Sequence, residues 1–310
     1  MKALVTGGAG FIGSRLVAGL LERGDDVRVL DALLTSTKET VPDGAELFEG
    51  DLRDADCVAE ACRGAEVVFH LGAFRSVPKS VEDPRAATET NVLGTLNVLV
   101  GAERAGARRV VYASSSSVYG AAAGAIQHED DPPHPRSPYA ASKLSGELYC
   151  AVWTDLKGLA TVSLRYFNVF GPGQRPDSQY SAVFPGFVSA LMSGRAPELH
   201  WDGEQTRDFA YVEDVADATI RAGDAEVDGP AVVNVAGGDP KSVNEVLRAV
   251  SEACGVWIEP TRTSMRAGDV RSTCADISRA KQLLGWEPAT AWPSAVAATV
   301  AWFQAVKGVA

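Results

Sequence analysis

Thr6-Gly7-Gly8-Ala9-Gly10-Phe11-Ile12-Gly13, close to the start of the chain, decides how the residues around it are read. It satisfies G-x-G-x-x-G at Gly8, Gly10 and Gly13, and G-x-x-G-x-x-G at Gly7, Gly10 and Gly13. The apolar run Ala3-Leu4-Val5 precedes it, and Phe11, Ile12, Leu16, Val17, Leu20 and Leu21 follow at the spacing of one helix face. Glycine lets a strand-to-helix turn close tightly and lets backbone approach a pyrophosphate. The start of the helix adds unpaired N–H groups and a partial positive charge. Glycines alone are a weak signal; a strand before them and a helix after make this one specific for a dinucleotide.

Outward from that turn, short apolar runs at residues 3–6, 27–30, 46–48, 67–71, 110–113 and 161–165 read as strands. Several are rich in Val and lack polar alternation, which suits strands buried on both faces of a parallel sheet. Helical patterns lie between them, including those after Pro84 and Pro138. Alternation of this kind predicts an α/β fold, a Rossmann-type doubly wound parallel sheet. After about residue 170 Pro and Gly become frequent, as at Gly171-Pro172-Gly173. Residues 1–167 are therefore expected to form the nucleotide-binding domain, joined by about 209–235, and 168–310 a smaller α/β substrate lobe. Asp31 ends the second expected strand. A carboxylate there accepts from both ribose hydroxyls of an adenosine and repels a 2′-phosphate. No Arg flanks it, so NAD is expected over NADP; the alternative is an ordinary capping or solvated Asp. Asp51-Leu52 is a weaker candidate for the adenine pocket and reads equally as a turn.

A length of 310 residues suits about two domains or one large α/β unit. Hydrophobic residues at 46% and charged residues at 22% exclude disorder, collagen and coiled coil. With 40 Asp+Glu against 29 Lys+Arg the net charge is −11, so no nucleic-acid partner is expected, although a local basic pocket for a small phosphorylated ligand is allowed. Cys57, Cys62, Cys150, Cys254 and Cys274 are scattered with no CxxC pair, which suits free thiols in a reducing cytosol and predicts no metal site. No stretch approaches the roughly 18 apolar residues of a membrane span. Met1-Lys2 runs straight into the first expected strand, so we expect no signal peptide and a cytoplasmic protein.

In Tyr139-Ala140-Ala141-Ser142-Lys143 the Tyr and Lys stand at i and i+4, on one face of a helix. A free Tyr, with a pKa of about 10, is a poor base at neutral pH; lowering that by about 3 units takes roughly 4 kcal/mol of preference for the phenolate. An adjacent ammonium and an oxidised nicotinamide ring are the expected sources. Such a pair alone reads as a surface pair. Ser114-Ser115-Ser116-Ser117, at the end of the preceding expected strand, changes that, because a hydroxyl there reaches the same substrate oxygen.

Nearly the whole chain resembles the extended short-chain dehydrogenase/reductase family, in its nucleotide-sugar epimerase/dehydratase branch and nearest the UDP-sugar 4-epimerases. The resemblance is carried by the glycine motif, Gly50-Asp51-Leu52, residues 70–73, Asn91 with Gly94-Thr95, Ser114–Gly120, the Tyr139/Lys143 pair, Leu164-Arg165-Tyr166-Phe167-Asn168, Thr206-Arg207-Asp208-Phe209 and Arg266-Ala267-Gly268-Asp269. It implies that Tyr139 is the acid/base, that Lys143 holds the nicotinamide ribose and that Ser115 is the assisting hydroxyl. By the same resemblance Gly7, Gly10, Phe11, Ile12, Gly13, Asp31, Asp51, Leu52, Leu71, Gly72, Ala73, Phe74, Asn91 and Ser114 line the NAD groove, with Tyr166 and Phe167 near the nicotinamide. Asn168, Arg207 and Arg266 would clamp a nucleoside diphosphate, since a planar guanidinium fork suits it. Asp269 would take a ribose hydroxyl, and Ser116, Arg175 and Thr273 would meet the sugar. A homodimer built on the helices carrying Asn91 and Tyr139 is also implied.

The serine tract separates sister reactions within this family. Dehydratases carry an Asp-Glu pair after the hydroxyl residue, decarboxylases a Glu before Val-Tyr-Gly, and 3,5-epimerases a Cys in this stretch. Here Ser116 and Ser117 occupy those places. The remaining chemistry is 4-epimerisation of a UDP-hexose through a 4-keto sugar, with the nucleotide gripped, the sugar held loosely and NAD ending unchanged. Residues 179–183 and the small Thr273 suit glucose-type or N-acetylated sugars. Arg175 could instead meet a C6 carboxylate, leaving UDP-glucuronate open unless Asp177 neutralises it. A dehydratase or decarboxylase, and a non-catalytic NAD-binding regulator, are the further alternatives.

Overall fold

The computed structural model describes residues 1–120, 126–174, 183–265 and 271–307. Its strands are β1 (Lys2–Thr6), β2 (Asp26–Asp31), β3 (Glu46–Glu49), β4 (Val67–His70), β5 (Arg109–Ser115), β6 (Ala160–Tyr166), β7 (Val169–Phe170), β8 (Glu198–His200), β9 (Thr206–Arg207), β10 (Ala210–Tyr211), β11 (Ala231–Val235), β12 (Lys241–Ser242) and β13 (Thr261–Thr263). The helices are α1 (Phe11–Glu22), α2 (Ala55–Cys62), α3 (Val77–Glu82), α4 (Pro84–Thr88), α5 (Gly94–Ala105), α6 (Pro138–Lys157), α7 (Val183–Met192), α8 (Val212–Asp224), α9 (Val243–Cys254), α10 (Ser278–Leu284) and α11 (Trp292–Lys307).

Seven strands form one parallel sheet in the order β11-β6-β5-β4-β1-β2-β3. All six expected strands are in it, each within one or two residues of its expected bounds. The Val-rich runs are explained by burial: every residue of β4 is buried, because apolar layers cover both faces. On one face α1 and α8 bring Leu16, Val17, Leu20, Val215, Ala218 and Ala222 onto Val5, Val29 and Phe69. On the other, α2, α5 and α6 bring Val58, Val98, Leu99 and Cys150 onto Leu4, Val68 and Val110. Removing a side chain such as Leu4 to Ala, at zero exposure, costs about 2–5 kcal/mol in such a core. The strand order reverses between β1 and β4, which opens a crevice at the carboxyl ends of the strands. That is where the glycine turn, the loop after β4 and the serine tract all emerge.

The later residues form a second apolar cluster from α7, α9 and α11, with Phe170, Phe184, Phe209 and Trp292 in mutual ring contact. Their chain still returns to the main sheet: α8 covers it and β11 extends it beside β6. Among the described residues no helix is long and apolar enough to cross a membrane.

Candidate active site

Two close approaches explain the glycine turn. Gly7 has φ +70° and a Cβ there would lie 2.7 Å from the Gly72 backbone; one on Gly13 would lie 2.1 Å from the Gly7 carbonyl oxygen. Gly10 caps α1 without any side-chain hydrogen bond, and no acidic residue occupies the first turn, so the helix start faces the crevice as bare backbone. Half-buried Phe11 and Ile12 form that turn. Asp31 stands beside it: one carboxylate oxygen accepts from Ala9 N (3.1 Å), the other from Leu33 N (2.9 Å) and Ser36 Oγ (3.2 Å). Donors to a pyrophosphate next to a fixed carboxylate fit a dinucleotide with a free ribose. The weaker pair is occupied otherwise. Asp51 is bound by Arg53 (2.6 Å), which holds its carboxyl below the usual range, and Leu52 is buried under Gly72 and Gly94.

Leu71, Gly72, Ala73 and Phe74, all half-buried, form the loop after β4. Asn91, 1% exposed on a π-helical turn at Glu89–Leu93, grips that loop rather than opening onto the crevice. It accepts from Phe74 N (2.7 Å) and donates to Phe74 O (3.0 Å) and Ser142 Oγ (2.9 Å). Behind it His70 bonds Thr6 and Thr95 (2.7 and 3.0 Å), and burial pulls its pKa down to about 3, so it is a neutral structural link.

At the other end of the crevice α6 starts on Ser137, which caps Ala140 N, with Pro138 in its first turn. This sets Tyr139 half-buried against the end of β5, beside the Ser115 hydroxyl. Burial pushes the phenol up; the Ser115 hydroxyl and the charge of Arg75 pull the other way without reversing the shift. The ammonium expected to lower the phenol is engaged elsewhere. Lys143, 4% exposed, spends its ammonium on the Ala113 carbonyl (2.8 Å) over the Tyr112 ring (5.0 Å), and burial draws its pKa down to about 8. Arg75, on the exposed side of the loop after Phe74, is the cation that acts on Tyr139, and sequence reading missed it.

Three further expected groove residues have protein partners for their side chains. Ser114 gives its hydroxyl to buried Glu147. The Tyr166 hydroxyl turns through the sheet to Thr219 (2.8 Å), and Phe167 is fully buried against Tyr119. Ser116 begins a short 3₁₀ turn in which Ser117 donates to Ser115 Oγ (2.9 Å). On the lobe side, exposed Asn168 has φ +21° and donates to Asp208 O (2.8 Å). Arg207 is half-buried and donates to Thr206 O (2.8 Å). The Thr273 hydroxyl is buried with no hydrogen-bond partner, a group a ligand could satisfy. Arg175, Arg266 and Asp269, with Asp177, lie outside the described residues. Asp208 is a residue that sequence reading quoted without a role. Fully buried, it accepts from Gly237 N, Gly238 N and Ala275 N (2.8, 3.0 and 3.1 Å) and so ties β9 to the segment carrying Thr273. Among the described residues no group of three His, Cys, Asp or Glu could hold a metal ion.

A doubly wound sheet with a bare-backbone dinucleotide cradle, facing a Ser–Tyr–Lys cluster across one crevice, defines a Rossmann-type nicotinamide-dependent enzyme. The model of the NAD dependent epimerase/dehydratase family matches residues 3–236. The chain is 39% identical to the UDP-glucose 4-epimerase of Mycolicibacterium smegmatis, covering 98% of this chain and 99% of that one. The Thermus thermophilus UDP-glucose 4-epimerase, solved in complex with NAD, superposes with a TM-score of 0.90 at 39% identity, over 98% and 99% of the two chains. MoeE5, solved in complex with UDP-glucuronic acid and NAD, gives 0.90 at 36% identity over 99% and 100%. This chain belongs to the NAD-dependent epimerase/dehydratase family. It is an NAD-dependent epimerase, and so an isomerase.

Proposed function

We propose that the protein interconverts C4 epimers of a UDP-hexose, of the glucose/galactose type or its N-acetylated forms. The observation that carries this reading is the Ser115–Tyr139 hydroxyl pair at the crevice, with no carboxylate in the serine tract. Bound NAD supplies reversible oxidation at one sugar carbon. The glycine turn and the start of α1 would hold its pyrophosphate, Asp31 its adenosine ribose and Lys143 its nicotinamide ribose. Tyr139 takes the proton from the C4 hydroxyl and later returns it, while Ser115 orients that oxygen. An oxidised nicotinamide ring, when bound, would add positive charge beside the phenol. Asn168, Arg207 and Arg266 would grip the diphosphate and Asp269 the nucleoside ribose. Ser116 and Thr273 face the sugar.

UDP-glucuronate is a second reading. Arg75, a cation acting on the Tyr139 phenol, favours a substrate with a C6 carboxylate, and Arg175 would add to it. Incubating the enzyme with UDP-glucose, UDP-N-acetylglucosamine and UDP-glucuronate, and resolving the C4 epimers by chromatography, separates the two; release of CO₂ from the uronate would replace both with a decarboxylase. We further propose a cytoplasmic homodimer. Its support is the five free cysteines and the apolar side chains Leu148, Val152 and Leu156 on α6, 44–75% exposed, with Leu93, 51% exposed, at the end of the adjacent π-helical turn.

A further inference from the structure

We infer that Glu147 is a positioning residue for the reaction, holding Ser115 in register with Tyr139 through Ser114. This rests on the proposed roles of Ser115 and Tyr139. Glu147 lies four residues beyond Lys143 and eight beyond Tyr139, so the three share a face of α6. That face meets the end of β5 residue by residue: Tyr139 lies beside the Ser115 hydroxyl, Lys143 bonds the Ala113 carbonyl, and Glu147 bonds the Ser114 hydroxyl.

Glu147 does more than cap one strand. Ser114 of β5 and Arg165 of β6 are register partners, and the same carboxylate binds both. Arg165 Nε donates to Oε1 (3.0 Å) and Nη2 to Oε2 (2.8 Å). Each side chain of this ion pair is 5% exposed. Arg165 also donates to the Glu129 carbonyl (3.2 Å) and lies 4.7 Å over the Tyr119 ring. Tyr119 closes the turn that begins at Ser116. The pair therefore fixes both ends of the serine tract, on Ser114 and on Tyr119, against the helix that carries the phenol. A buried ion pair is by itself weak evidence for stability. Its placement one residue from Ser115 gives it a different use, because reacting groups displaced by about 1 Å cost on the order of 100-fold in rate.

The test compares Ser114→Ala, which removes the hydroxyl and leaves the ion pair, with Glu147→Gln. Steady-state rates, NAD content, the isotope effect with C4-deuterated UDP-glucose or UDP-glucuronate, thermal midpoints and a crystal structure of the Ser114 variant are measured. We expect kcat to fall about 10-fold for Ser114→Ala and about 100-fold for Glu147→Gln. KM and NAD content should be unchanged, the isotope effect larger, and the Ser115 and Tyr139 hydroxyl oxygens farther apart than in the wild type. A lower thermal midpoint with wild-type kcat per NAD-loaded site, an unchanged isotope effect and an unchanged Ser115–Tyr139 oxygen separation would overturn the inference. If Glu147→Gln does not fold, the Ser114 variant decides alone. Tyr139→Phe is run alongside: full activity there would sink the catalytic reading itself, whereas an inactive Tyr139→Phe with wild-type Ser114→Ala would sink only this inference.

Discussion

At Tyr139 two influences oppose each other: burial keeps the phenol protonated, while Ser115 and Arg75 favour the phenolate. A residue so placed is a weak base until a further positive charge arrives. Tyr139→Phe keeps the ring and its packing but removes the transferable proton, so kcat should fall about 10²- to 10⁴-fold with the fold intact, measured by epimer formation and circular dichroism. His70 makes a prediction about stability. Its folded pKa of about 3 lies below its unfolded value of about 6.5. Between those values the unfolded chain binds a proton that the folded chain does not, so stability should fall as pH drops below about 6.5, by up to roughly 1.4 kcal/mol per pH unit. Urea midpoints at pH 7, 6 and 5 measure it, and His70→Gln should flatten the slope. The residue types of this site were legible in the sequence, but their directions were not. Ser114 and Tyr166 sit in readable motifs, yet which side of a two-faced strand a hydroxyl meets depends on the helix packed there.

Among the elements, the turn from β1 into α1 was the most legible. Its glycines answer a local steric demand that no distant contact alters. Gly13→Ala would drive a methyl group to 2.1 Å from the Gly7 carbonyl. The turn must then open, and we expect loss of bound NAD, measured by the absorbance of the released cofactor, together with a destabilisation of about 2 kcal/mol or more. The strand β11 was harder to read. Its apolar run is broken by Asn234, which looks like a loop residue in sequence. In the fold Asn234 is fully buried and satisfied: it donates to the Gln127 and Asp276 carbonyls (3.0 and 3.1 Å) and accepts from the Tyr119 hydroxyl (2.6 Å). A polar group tolerated inside a sheet because of distant partners leaves no local periodicity to find.

The whole molecule carries a net charge of −11, and α6 presents exposed apolar side chains among the described residues. Leu148, 61% exposed, and Val152, 44% exposed, lie one helical turn apart on the outer side of α6, away from the face that carries Tyr139. Contiguous apolar surface of this kind marks an interaction site. Leu148→Asp combined with Val152→Asp should convert the proposed dimer to a monomer in light scattering while leaving the monomer folded; a wild-type protein already monomeric at micromolar concentration would contradict that proposal. At this scale the central claim is that one face of the crevice oxidises a sugar carbon and the same cofactor then reduces it. Turnover of a UDP-sugar deuterated at C4, in ordinary water, tests it most directly by mass spectrometry of the epimer formed. The account predicts that the product keeps the deuterium at C4, and deuterium lost to solvent would contradict it.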